Sequence, residues 1–361
     1  MKETVKNLEA LRAVMRSKRV SAVIVPGTDP HQSEYVNDHW KLRDWVTGFT
    51  GSNGTAVVTL DVAGLWTDSR YFLQAEIQLA DSGVVLYKED MPGEPTINEW
   101  LAEHLGENDV LAVDGRLFSL VQASRLEQFC GESGFRFAAD FDPFKGIYED
   151  RPELPLGTIF EHEVQYAGES TESKIERVLA EVEKQGAEAL LLSALDEIAW
   201  IFNIRCNDVD YNPVAISYAY VSEDRNVLFI DPRKVDAKAA EYLKSCNIEV
   251  LPYDGLQEFL GKLKNVTVML DPNKTSDTVA RWILNCGVVY AASPVALPKA
   301  VKNEVQIEGT RKAMERDGAA LVKLYMWLEK AVAEGGVNEL DVAAKAIEFR
   351  SESPLYRGES F

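Results

Sequence analysis

The sequence predicts a duplicated α/β domain followed by the opening helices of a third unit. Three observations carry that expectation. A helix, an apolar strand, a hairpin and further helix and strand runs recur in the same order in both halves of the first 298 residues. LFIDPR at 228–233 sits in the second half where LWTDSR at 65–70 sits in the first: a Leu-aromatic strand ending in Asp, a turn residue, then Arg. Residues 302–334 then read as one long amphipathic helix that neither half contains. Two copies are too few for a solenoid. The limits drawn from these patterns are 1–150, 151–298 and 299–361.

In chain order, residues 1–19 place Val5, Leu8, Leu11 and Met15 on one helical face. SAVIVP (21–26) is an apolar strand. GTAVVTL (54–60) and GLWT (64–67) form a hairpin across Asp61-Val62-Ala63. Asp68 or Ser69 is placed to cap the helix that follows, because a side-chain oxygen there accepts an orphan N–H. Residues 110–114 read as a strand, 119–130 as a helix and 135–140 as a strand. Residues 141–167, rich in Pro, Gly and acids, read as a linker.

The second copy opens with a helix over 173–186, ended by Gly186. A strand at 187–193 and a hairpin at 217–230 around Glu223-Asp224 follow, then a strand at 266–271 and a helix at 278–285. In 302–334 Met314, Leu321, Leu324 and Leu328 form one apolar stripe. Gly335-Gly336 ends that helix, and Asn338 caps another over 337–350. Two helices with nothing to pack on are expected to self-associate through apolar patches.

Composition narrows the function classes. With 58 acidic against 38 basic residues the chain carries a net charge of −20, which disfavours nucleic acid and anionic membranes as partners. No stretch approaches the apolar length of a membrane span, and the charged first residues lack the apolar core of a signal peptide. Cys130, Cys206, Cys246 and Cys286 are widely spaced, as expected of free thiols in a reducing cytoplasm.

Chemistry is sparse. His31, His39, His104 and His162 show no metal-ligand spacing, so no metal site is expected in this chain. There is no nucleophile elbow, and no cysteine in an activating setting. GFTGSNG (48–54) lacks the Lys-Ser/Thr of a phosphate loop and opens a strand instead of a helix, so it reads as a tight turn. No catalytic residue is assigned. Arg70 is singled out, because a guanidinium near the positive end of a helix dipole needs a carboxylate partner, internal or from a ligand.

The stretches at 29–59, 65–75, 193–221 and 299–329 carry a resemblance to a known family. They include DPHQSEYVNDHW, LWTDSRYFLQA, DEIAWIFNIR with YNPV, and KNEVQIEGTRKAMERDGAALVKLYMWLE. Together they resemble the three-domain Xaa-Pro aminopeptidases of the creatinase-like superfamily. The resemblance implies two creatinase N-terminal-like domains with mixed sheets, then a pita-bread domain of which only the first helices fall in this sequence. That domain would hold two metal ions, manganese in the family, through ligands beyond Phe361. The chain alone is therefore expected to be inactive, with no cofactor of its own. The parent is expected to be a cytoplasmic homodimer acting on short peptides with proline at position two. Arg70 matches the family arginine that reaches over the cleft to bound peptide. Trp45, Phe49 and Trp66 lie in matching motifs and read as packing residues, and Asn212-Pro213 as a loop constraint. A non-catalytic peptide- or protein-binding module of the same fold is the competing reading; a creatine-type amidinohydrolase is a third.

Overall fold

The computed structural model describes residues 3–359. Two six-stranded sheets form its framework. The first contains β1 (Ala22–Pro26), β2 (Thr55–Thr59), β3 (Ala63–Thr67), β4 (Val85–Lys88), β5 (Val110–Ala112) and β6 (Arg136–Ala138), in the order β4-β3-β2-β1-β5-β6. A two-stranded ribbon joins β7 (Phe160–Glu161) to β9 (Ile204–Arg205). The second sheet contains β8 (Ala189–Leu192), β10 (Tyr218–Ser222), β11 (Asn226–Phe229), β12 (Ile248–Leu251), β13 (Thr267–Leu270) and β14 (Gly287–Tyr290), in the order β12-β11-β10-β8-β13-β14.

The two orders are the same once each strand is matched to its counterpart. In each sheet the first strand pairs antiparallel with the hairpin that follows it and parallel with the fifth strand, while both outer pairs are parallel. The duplication expected from DSR and DPR is therefore a duplication of topology, and both sheets are mixed. Every residue of β1 and of β8 is buried, as central strands covered on both faces require. The first helix, Glu3–Lys18, buries Leu8, Leu11 and Met15 against the first sheet.

The copies meet through equivalent turns. Ser119 caps the helix Leu120–Ser133 after β5, and Ser276 caps the helix Asp277–Arg281 after β13. These serines face each other, with Leu120 N–H donating to Thr275 O (2.9 Å) and Asp277 N–H to Phe118 O (2.9 Å). One turn further, Val121 N–H donates to Pro272 O and Thr278 N–H to Gly115 O. Each bond has its mirror in the other copy, so the seam has the self-complementary form of a two-fold interface within one chain. Gly115 is required there: a Cβ would stand 2.5 Å from Ala139 O and 2.9 Å from Thr278 Oγ1.

Four expectations need correction. The helix after β3 begins at Phe72, its N-cap position is Tyr71, and no side chain caps it; Asp68 is committed to a turn instead. Residues 141–167 are no free linker, since Phe141 and Phe144 enter the first core and Ile159 the second. The helix expected over 278–285 stops at Arg281. The stripe on the long helix is only partly covered. Leu324 is buried, Leu321 and Leu328 are half-buried, and Met314 is exposed at the rim of the groove against the next helix.

The long helix runs Glu304–Glu334 with Asn303 as its cap, and Asn338 caps the helix Glu339–Ser351. Asn303 also donates to Ala167 O (2.8 Å), tying the helix start to the second domain. Arg350 to Asp317 and Lys323 to Glu352 bridge the two helices. Cys130, Cys206 and Cys246 are buried and Cys286 half-buried, all as free thiols.

Candidate functional site

After β3 the chain turns at Asp68. Its carboxylate accepts the Arg70 backbone N–H (3.0 Å) and grips the guanidinium through Nε (3.0 Å) and Nη2 (2.6 Å). Asn53, from the glycine-rich loop, donates to the same carboxylate (2.6 Å). Arg70 lies over the Tyr71 ring at 5.2 Å, and the Tyr71 hydroxyl is hydrogen-bonded to Ser52 Oγ (2.6 Å). The Arg70 side chain is nevertheless 66% exposed. The guanidinium, helped by Asn53, holds the Asp68 carboxyl far below the usual carboxylate range, and Asp68 in turn raises Arg70.

The loop 48–54 is shaped from beneath by a second arginine. Arg43 is buried and donates to Gly54 O (3.2 Å) and Gly51 O (2.5 Å), with Asp44 as its counter-ion. The loop thus turns carbonyl oxygens toward a cation, the opposite polarity from a phosphate cradle. Phe49 is buried below it, edge-on to Tyr71 at 5.9 Å. Gly51 is needed because a Cβ would lie 2.2 Å from Phe49 and 2.8 Å from Tyr71.

The internal carboxylate belongs to a recurrent turn. Asp114 grips Arg116 and Asp231 grips Arg233 through the same backbone N–H, Nε and Nη2 bonds. Asp271 keeps the backbone half of the motif with Asn273. The sequence carries this signal as Asp-x-Arg at three strand ends; only two stand in closely matching strings, and VDGR is easily passed over.

Other singled-out residues fall outside this site. Trp66 is buried, stacked on Tyr87 at 4.3 Å with its indole N–H on Pro95 O. Trp45 is half-buried against Tyr148. Asn212 turns the chain so that the buried Asp208 receives the Ile216 N–H and the Lys234 ammonium, a pairing sequence reasoning missed. His31 lies between the domains, its Nδ1–H on Ser193 O (2.8 Å) and its Nε2 accepting from the Tyr253 hydroxyl (2.9 Å). His39 and His104 donate to the carbonyls of Pro152 and Trp100. Burial beside Arg205 and Lys174 pushes His162 down to about 4.

A family model for the creatinase/prolidase N-terminal domain matches residues 7–147, and a second of the same description matches 150–306. The chain belongs to the creatinase/prolidase N-terminal-domain family. Within it, the chain is 37% identical to a probable Xaa-Pro aminopeptidase P of Laccaria bicolor over 99% of its own length and 57% of that relative. It is 34% identical to Xaa-Pro aminopeptidase 1 of Dictyostelium discoideum over 91% of this chain and 54% of that one. The crystal structure of the X-prolyl aminopeptidase of Caenorhabditis elegans, a cytosolic enzyme with a di-nuclear active site, superposes with a TM-score of 0.93 at 29% identity. That match covers all of this chain and 62% of the nematode enzyme. The chain thus spans little more than half the length of the curated relatives it matches.

A di-nuclear site does not fit the residues of these creatinase-type domains. Among the described residues no three His, Cys, Asp or Glu side chains come together as a metal-holding group. Both ring nitrogens of His31 are already engaged. No described helix is long and apolar enough to cross a membrane.

Proposed function

We propose that this chain is the N-terminal portion of a metal-dependent Xaa-Pro aminopeptidase, and that it does not hydrolyse peptides by itself. The single observation behind this reading is the superposition of the whole chain on 62% of the nematode X-prolyl aminopeptidase, TM-score 0.93. Residues 1–150 and 151–298 form the two creatinase-type domains in this proposal, and 299–361 open the catalytic one. The chemistry, with two metal ions (manganese by family resemblance), belongs to the part of the relatives beyond this match. Peptides with proline at position two are the substrates, the complete protein is a cytoplasmic homodimer, and Arg70 contacts the bound peptide. Its 66% exposure and its fixed orientation support that role.

The test compares this chain with the complete gene product on Xaa-Pro peptides in added manganese. Turnover by the longer protein alone is the expected result. Turnover by residues 1–361 would place the ligands among side chains discounted above. Peptide binding without turnover by the complete protein would favour a non-catalytic binding module.

A further inference from the structure

The chemistry around Arg70 limits what it can recognise. One edge of the guanidinium, Nε with Nη2, is spent on Asp68, and the pair together carries no net charge. Asp68 is fixed by a third group, Asn53 from the glycine loop, so the clamp is held from two segments. The surroundings add further acid. Burial, and then the charges of Asp68 and Asp90, raise the Glu89 carboxyl, so Glu89 stands within electrostatic reach of Asp68. A ligand carboxylate arriving here would share one guanidinium with Asp68, and like charges at such separations repel. A neutral carbonyl oxygen meets no such repulsion and still accepts a strong hydrogen bond from the cation.

The other two clamps sharpen the contrast. Arg116 is held between Asp114 and Asp142, 2.6 Å from each, and so serves as a tie within the first domain. Arg233 has the Asp231 clamp, but the next residue is the buried Lys234 instead of an aromatic platform. Arg70 combines the clamp, the Tyr71 platform and an exposed outer edge.

We infer that Asp68 is a positioning residue that presents Arg70 as a charge-compensated donor, so that the site takes a backbone carbonyl of an extended peptide and not a C-terminal carboxylate. The inference rests on the aminopeptidase reading for its substrate. Its specific consequence is indifference to the charge at the peptide's far end.

The experiment uses the complete gene product with Ala-Pro-Ala and its C-terminal amide. Hydrolysis is followed with manganese, and binding to the chelator-treated protein by calorimetry. Arg70→Ala is expected to lower kcat/KM and affinity for acid and amide alike, roughly tenfold, the loss of one hydrogen bond to a charged donor. Asp68→Asn, which frees the positive charge, is expected to shift the acid-to-amide ratio several-fold toward the acid, a change that a merely structural role would not produce. R70A weakening the acid alone, or D68N leaving the ratio unmoved, would overturn the inference. R70A leaving both peptides unaffected also overturns it. Equal binding losses in a protein that never turns peptide over would sink the aminopeptidase reading and leave the clamp standing.

Discussion

Arg43 and Arg70 sit on opposite sides of one glycine loop, and their surroundings give them opposite tasks. Arg43 is buried and satisfies carbonyls that no backbone partner reaches. Arg43→Ala leaves Asp44 and two loop carbonyls unpaired, so a loss of about 3 kcal/mol is expected in urea unfolding. Arg70 is paired at the surface, where such a bond contributes little, and R70A should leave the urea midpoint unchanged. Histidines supply a pH dependence with a definite sign. Burial lowers both His31 and His162 below the ordinary imidazole value, His162 to about 4. Above about pH 6.5 both states are neutral and nothing is lost. As pH falls below that value the unfolded chain binds protons that the native one refuses, so stability declines toward pH 4. His162→Gln should flatten the fall in melting temperature between those limits; an unchanged slope would exclude this histidine as its source.

At the scale of elements, hairpins and capped helices were legible because their signals are local. The hairpin around Glu223-Asp224 and the cap at Asn338 form where turn chemistry and a side-chain oxygen put them, while the caps at Ser119 and Asn303 emerge only in the structure. The start of the helix after β3 was misread because Asp68 has two possible uses, a helix cap or a turn, and only the position of Arg70 decides. The linker was misread because Phe141, Phe144 and Ile159 follow no periodicity, yet each finds a core. The seam between the copies gives a test. Gly115→Ala drives a Cβ against Ala139 O in its own domain and Thr278 Oγ1 across the junction. A loss of about 1–3 kcal/mol is expected, the usual range for overpacking. Differential scanning calorimetry should show the two domains beginning to melt separately, whereas one unbroken transition would mean that their coupling does not rest on this contact.

Across the whole molecule the terminal helices stand apart from the two compact domains. Val322, Tyr325 and Met326 on the long helix are each about three-fifths exposed, and Leu340 on the next is 74% exposed. Such a surface favours association, and this chain should show concentration-dependent self-association in sedimentation. Replacing Tyr325 and Met326 with serine should reduce it, and a clean monomer of the unaltered chain at high concentration would count against the idea.

The sequence by itself determined the duplication, the hairpins, the cap at Asn338 and the long amphipathic helix, because each rests on spacing within a short stretch. Tertiary structure alone decided that Asn53 joins the Asp68–Arg70 clamp, which way the glycine loop turns its carbonyls, and how the copies join through mirrored turns. The seam depends on groups far apart in the chain, such as Leu120 with Thr275 and Phe118 with Asp277. No local pattern encodes which distant carbonyl or carboxylate will be left unsatisfied once the sheets are packed, and that is what chose the partners.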